Sequence, residues 1–177
     1  MGDIYNVPPS NNSFNGANNS GSFSGFDGAN NSNSFSVGNG NSFTDRGNGS
    51  WSTLTLADDQ NQVSLANVMN TAVIAYGDSK LVFLSGVGDA IVDDKGTNLF
   101  LDVCHQAGTL ILEDFQSDAG SKLHLTDPAY TSTAQALSAL MPDGAGGVVL
   151  PLSAGGRIDF VGASAQELVG HINVGNP

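Results

Sequence analysis

Lysine and arginine are scarce in this chain. Its 177 residues include 5 of them against 17 aspartates and glutamates, a net charge of −12. Nucleic acid and an anionic membrane are poor partners for such a chain, because neither phosphates nor lipid headgroups would find enough cations. The carboxylate surplus fits either a soluble secreted surface or one that collects divalent cations. A single cysteine, Cys104, excludes an internal disulfide. It adjoins the apolar run Leu99 to Val103, so a partly buried, inert thiol is expected, with a reactive thiol as the alternative. No apolar run is long enough to span a bilayer. Met1 to Ser10 lacks a basic segment followed by an apolar one, so no N-terminal secretory signal is legible. Such a chain stays inside the cell or leaves by a route that reads another signal.

Catalytic patterns are equally scarce. None of His105, His124 and His171 has zinc-ligand spacing to Cys, Glu or another His. His124 alternates between Leu123 and Leu125, which places it on the solvent face of a strand. There is no Gly-x-Ser-x-Gly elbow. Gly86-Val87-Gly88 has no lysine or helix placed to hold phosphate. The adjacent carboxylates Asp58-Asp59 and Asp93-Asp94 could act on a glycan, but turns explain them better. The expectation is a protein that is not an enzyme.

What the chain does have is a period. From Leu54 to Leu112 one column, read every nine residues, is Leu56, Leu65, Ile74, Phe83, Val92, Leu101 and Leu110. The column two residues earlier is Leu54, Val63, Ala72, Leu81, Ala90, Leu99 and Gly108. A spacing of two is the strand period, so each pair is expected on one inward face. Seven units run without an insertion, which predicts one short strand per unit, then a turn, stacked on the unit before. The turns include Asp58-Asp59, Gly77-Asp78, Gly86 to Asp89, Asp93-Asp94 and Gly96.

Before this array, residues 1–10 form a lead-in. There Ile4, Tyr5 and Val7 could add a strand or cover the first turn, and Pro8-Pro9 interrupts any ladder. Residues 11–52 are rich in Asn, Ser, Gly and Phe. Asn-Ser-Phe recurs at Asn12, Asn33 and Asn41, and Phe14 to Phe23 and Phe26 to Phe35 each step by nine. This reads as a less regular part of the same array with an aromatic column; a disordered linker is the alternative. After Leu112 the pattern changes. Leu123-His124-Leu125 is a short strand. Ser132 to Gln135 is a capping box opening a helix through Ala134, Leu137, Leu140 and Met141, ended by Pro142 and Gly144. Val148 to Leu152 and Arg157 to Val161 form a hairpin about Gly155-Gly156, and Ser164 to Glu167 opens a second, short helix through Leu168 and Val169. The predicted fold is mainly β: a parallel β-solenoid or β-roll over 11–112, then a small α+β cap over 113–177.

The order of these motifs resembles the C-terminal region of the repeats-in-toxin, hemolysin-type secreted proteins of Gram-negative bacteria. The matching stretches are Leu112 to Phe115, Lys122 to Leu125, Ala134 to Leu137, Gly146 to Leu150 and Gly156 to Gly162. The resemblance implies secretion through a type I exporter that reads an uncleaved C-terminal signal. It also implies two nonapeptides per turn of a β-roll, with calcium held in the turns by an aspartate of the repeat. In this chain that aspartate position holds Leu54, Val63, Ala72, Leu81, Ala90 and Leu99 in one register. In the other it holds Ser52, Asn61, Asn70, Ser79, Gly88 and Thr97. Asparagine is a weaker calcium ligand than carboxylate and can form amide ladders without metal. The array is therefore expected to be largely calcium-independent. Asp78, Asp89, Asp93 and Asp94 keep carboxylates beside glycines and are the candidate calcium ligands, with solvated turn residues as the alternative.

The function expected is a secreted, non-enzymatic surface, matrix or adhesion scaffold. Its expected partners are an extracellular polysaccharide or cell surface, the exporter, and further copies joined end to end. The alternative is a calcium-binding export and folding module related to a secreted protease, lipase or polysaccharide epimerase. An ice- or glycan-binding face ranks third, since only Thr53-Leu54-Thr55 offers a threonine row.

Overall fold

The computed structural model describes strand segments alone up to residue 83, with side chains at residues 72–75. From residue 89 to 175 it describes both backbone and side chains, apart from residues 97, 105–107 and 118–119 and the side chain of Ser117. The strands of the first half are β1 (Ile4–Tyr5), β2 (Ser13–Gly16), β3 (Ser22–Ser24), β4 (Asn33–Val37), β5 (Ser42–Asp45), β6 (Ser52–Leu56), β7 (Asn61–Leu65), β8 (Thr71–Ala75) and β9 (Ser79–Phe83). There follow β10 (Ala90–Asp94), β11 (Leu99–Cys104), β12 (Thr109–Glu113), a 3-10 turn at Phe115–Ser117, β13 (Lys122–Thr126), α1 (Thr133–Ser138), β14 (Met141–Pro142), β15 (Val148–Pro151), β16 (Arg157–Phe160) and β17 (Ile172–Val174).

The strands sort into two sheets. One has the order β1-β3-β5-β7-β9-β11-β13-β17, and the other β14-β15-β16-β12-β10-β8-β6-β4-β2. Parallel strands need a crossover of about a dozen residues or more. Through β13 that crossover contains a strand of the opposite sheet. Among the described residues every ladder is parallel except β14 with β15 and β15 with β16, which are antiparallel. The protein is thus mainly β, with parallel ladders finished by a short antiparallel end.

The repeat is less strict than a step of nine predicts. Two units make a step of 18, and Asn61 does pair with Ser79. Other rows of the regular array step further: Ser52 pairs with Thr71 and Thr71 with Ala90, while Ser79 pairs with Leu99 and Ala90 with Leu110. A one-residue slip moves every side chain to the other face. It does so in β8, where Val73 and Ala75 are buried and Ala72 and Ile74, expected inward, are half-exposed. All four of these residues are apolar, so alternation could not choose the face. The chosen register sets the small Ala75 beside the inward Asp94. Gly108 likewise precedes β12 instead of lying in it.

Inward positions of β10 (Ala90, Val92), β11 (Leu99, Leu101, Val103), β12 (Leu110, Leu112) and β13 (Leu123, Leu125) stack into one core. Both sheets continue past residue 113, where the sequence places a boundary. β12 pairs with β16, setting Leu112 beside Phe160, and β11 pairs with β13. Phe115, Phe160 and His171 close the core, with ring centroids 6.1 Å apart for the two phenylalanines and 5.9 Å for Phe115 and His171.

The last third differs from expectation in two places. Helix α1 ends at Ser138, three residues short of Met141, and Met141 instead pairs with Val149. A residue before proline is pushed out of the helical region, and Pro142 does this to Met141. The cap itself forms: the Ser132 hydroxyl accepts from Gln135 N at 3.3 Å, and Gln135 Oε1 accepts from Thr131 N at 2.9 Å. Only Ala136 of the helix is fully buried. The second capping box also forms, with Glu167 Oε2 accepting from Ser164 N at 2.7 Å and the Ser164 hydroxyl from Glu167 N at 3.3 Å. It closes a turn, with no helix behind it, and Gly170 at φ 89° follows. The hairpin about Gly155-Gly156 stands as expected, and Ile172 and Val174 belong to β17.

Candidate functional site

In β11 the inward Leu99, Leu101 and Val103 alternate with the outward Phe100 and Asp102. In β13 the outward residues are Lys122 and His124, and Asn173 continues that face on β17. Parallel register lines them up: Phe100 with Lys122, Asp102 with His124, and His124 with Asn173. Lys80 of β9 pairs with Phe100 on the other side. Phe100 is 53% exposed, a large hydrophobic held out in water. His124 Nδ1 lies 3.1 Å from Asp102 Oδ1. Phe100, Leu101, Asp102, Lys122, His124 and Asn173 line a shallow pocket of about 200 Å³. Its floor is aromatic and its rim carries a carboxylate, an ammonium, an imidazole and a carboxamide. Gly175 packs against the His124 ring so closely that an added Cβ would lie 2.2 Å from Nε2. The absence of a side chain at Gly175 leaves room for the imidazole beside Asp102.

Of the candidate calcium ligands, Asp89, Asp93 and Asp94 have described surroundings. Asp78 lies outside the described residues, as do Asp58-Asp59 and His105. Asp89 Oδ1 accepts from Thr109 N at 2.8 Å, tying β10 to β12. Asp93 and Asp94 end β10 and do not form a turn. Consecutive strand residues point to opposite faces, so the two cannot hold one ion together. Asp93 faces outward with Lys95 Nζ at 3.0 Å, and the same ammonium pairs with Asp114. Hydrogen bonds to Asp114 and then to Asp93 hold the Lys95 pKa above the usual lysine range. Asp94 is buried, accepting from Ser121 Oγ at 2.6 Å and from Gly96 N at 3.3 Å. Among the described residues no three His, Cys, Asp or Glu side chains cluster in a way that could hold a metal ion.

Ser121, Asp94 and His171 bring together the residue types of a hydrolytic triad, but their bonds are structural. The Ser121 hydroxyl accepts from Leu99 N at 3.0 Å while donating to Asp94, and it is wholly buried. His171 Nδ1 lies 2.9 Å from the Ser121 carbonyl oxygen, not from its hydroxyl. The group staples β10, β11 and the chain entering β13 and β17. A second buried group does the same nearby. Asp127 accepts from Ala129 N at 2.8 Å, from Ser153 N at 3.1 Å and from the Ser153 hydroxyl at 3.0 Å. The Tyr130 hydroxyl donates to the Pro151 carbonyl, and burial, then Asp127, pushes its pKa up.

The outward orientation of His124 agrees with its alternation in the sequence, and Cys104 is half-buried at the end of β11. The exposed Phe100 departs from the alternation of its strand. Its signal is an aromatic at an outward position of Leu99-Phe100-Leu101-Asp102-Val103, where alternation calls for a polar residue. Comparisons with family models, with curated proteins and with solved structures give no match for this chain.

Proposed function

We propose that this chain is a secreted, non-enzymatic scaffold of the repeats-in-toxin type, in which a parallel β-roll presents a repeating outer face. The observation that carries the reading is the next-but-one parallel pairing from β1 through β13, with consecutive strands in opposite sheets. Two strands per turn is the arrangement that the family resemblance implies. Further support comes from the quoted motifs, which fall on successive elements: Lys122 to Leu125 on β13, Val148 to Leu150 on β15 and Arg157 to Phe160 on β16. A stiff stack of sheets suits display and binding at a surface or matrix more than catalysis. The buried serine, histidine and aspartate are spent on staples.

In this reading calcium is not what holds the described turns. Lys95 already supplies a cation to Asp93 and Asp114, and Asp94 is satisfied by Ser121 and Gly96. End-to-end growth through the end formed by β14 and β17 is opposed. The Thr133 hydroxyl accepts from Val174 N at 3.1 Å, so α1 covers the edge of β17, and Pro142 interrupts that of β14.

Secretion is tested by expressing the chain beside a type I exporter. The intact chain is expected in the medium, and a chain lacking β17 is expected to stay in the cell; equal retention of both sinks the secretion reading. Far-UV circular dichroism in excess chelator tests the metal. A folded β spectrum is expected, and its loss would restore the calcium-dependent export module as the better reading.

A further inference from the structure

We infer that the outer face of β11, β13 and β17 binds a neutral polysaccharide of all-equatorial hexopyranose units, with one sugar ring stacked on Phe100 and its hydroxyls held by Asp102 and Asn173. The inference rests on the scaffold reading only for where the ligand is met. Phe100 is 53% exposed in a strand whose inward Leu99, Leu101 and Val103 are all buried, so the core does not require an aromatic there. Two residues further along the strand, a rise of about 6.6 Å, a polar row begins. Asp102, His124 and Asn173 stand in register across three strands. With parallel strands about 4.8 Å apart, that row spans roughly 10 Å.

An aromatic face carries partial negative charge, and the C–H groups on the face of a sugar ring are its complement. When every ring hydroxyl is equatorial, that face is apolar and the hydroxyls project sideways, toward the polar row. A carboxylate accepts at two oxygens, and a carboxamide both donates and accepts. Asp102 Oδ1 lies 3.1 Å from His124 Nδ1, so the imidazole orients the carboxylate while Oδ2 takes a sugar hydroxyl. The exposed Asn173 serves the next hydroxyl along the row. Charge selects against ionic ligands of either sign. The lining holds one carboxylate, Asp102, and one lysine, Lys122, which already has a partner within the chain. The net charge of −12 disfavours polyanions in particular. A protein partner is a poorer fit, because stable interfaces bury about 800 Å² a side, and here one exposed aromatic stands in a polar lining. A shallow pocket of about 200 Å³ takes a segment of a polymer better than a whole enclosed molecule.

The test is calorimetry of the full chain with cellohexaose, with the like-linked oligoglucuronate of the same length as comparator. Cellohexaose is expected to bind saturably, with little dependence on salt. The oligoglucuronate, which differs in its carboxylates, is expected to bind about tenfold more weakly or worse, because it meets Asp102 and a negative chain. Phe100→Ala is expected to weaken cellohexaose binding by about tenfold or more, as truncating a central aromatic anchor does. Phe100→Trp, which keeps a platform, should preserve binding, and Asn173→Ala should weaken it severalfold. Val169→Ala, which trims an exposed hydrophobic at another place (55% exposed), should leave binding unchanged. Folding of each variant is checked by circular dichroism; the changes at Phe100 and Asn173 lie on an outer face and spare the core. The inference is overturned by no saturable binding, by the oligoglucuronate binding equally well, or by Phe100→Ala binding like the parent. A chain that is exported yet ignores cellohexaose removes this ligand and leaves the scaffold reading standing. A chain that binds it but is not exported does the reverse.

Discussion

In β10, β11 and β12 the inward positions are aliphatic with one exception, Asp94. In the segment after Glu113 the core is apolar too, but it is pinned by groups that occur once each: Ser121, Asp127, Tyr130 and His171. The two regions share sheets and a core, and differ in what fixes their geometry. A parallel row is positioned by the rows on either side of it, so its register can slip from 18 to 22 residues per turn and still bury apolar side chains. The closing segment has no next row. Its hairpin, helix and last strand are each held by a specific bond or a specific absence of side chain. Substitutions that remove such a device should cost more than substitutions on the outer face of the rows.

Gly147 is the sharpest such device. It begins the hairpin, and a Cβ there would lie 2.3 Å from the Phe160 carbonyl oxygen and 2.7 Å from Asp143 Oδ2. The first of these is backbone in the partner strand and cannot move without opening the β15 to β16 ladder. Gly147→Ala is expected to destabilise the protein by about 3 kcal/mol or more through overpacking. Urea denaturation measures it. A midpoint within error of the parent would mean that the hairpin is not held this tightly, and the contrast between the regions would lose its main support.

Asp127 comes next. Its carboxylate is 1% exposed and receives three donors from two loops. Asp127→Ala removes the acceptor shared by the part-buried donors of Ala129 and Ser153, at a combined cost of about 2 kcal/mol. The same variant should loosen Tyr130 without disturbing β10. Hydrogen exchange that rises equally in β10 and in β15 would show one cooperative unit instead of two differently held regions.

Within the rows the decisive pair is Val73 and Ile74. Val73→Ser should cost about 2 kcal/mol or more, since it puts a hydroxyl into the core. Ile74→Ser, one residue along, should cost under about 1 kcal/mol, the range of strand preference at an outer position. The opposite ranking would restore the strict nine-residue column and refute the slipped register of β8. These residues also mark how far sequence reasoning reaches. The nine-residue column identified the strands and the inward sets of β10 and β11, and in Leu99 to Val103 the outward Asp102 marks the face as well. It failed in Ala72-Val73-Ile74-Ala75, where every residue is apolar and only the neighbouring rows set the face. Capping boxes were legible as hydrogen bonds but not as helices. Glu167 bonds to Ser164 as the pattern requires, yet Gly170 and the demands of β17 leave a turn. The Phe100 platform is assembled from β11, β13 and β17, whose residues are up to 73 positions apart (100 to 173), and no local window contains it.

The smallest effect expected is on the acid side. Ser164 N–H and hydroxyl hold the Glu167 carboxyl below its usual value of 4.5, and the Ala145 and Gly147 N–H groups hold Asp143 below 3.8. Both groups therefore bind protons less readily folded than unfolded. Their stabilisation is complete above those usual values and is lost as the pH falls through the lowered folded ones. Both are exposed, so solvent screens the effect and the change is modest. Urea midpoints taken from pH 6 downward should begin to fall below about pH 4.5. Glu167→Gln, which can still accept from Ser164 but does not titrate, should remove part of that fall and leave the rest. Since both carboxylates sit in the closing segment, hydrogen exchange at low pH should rise there before it rises in β10 and β11. Loss of protection in the rows first would place the acid-sensitive groups in the array, and the closing segment would no longer be the region held by unique polar contacts.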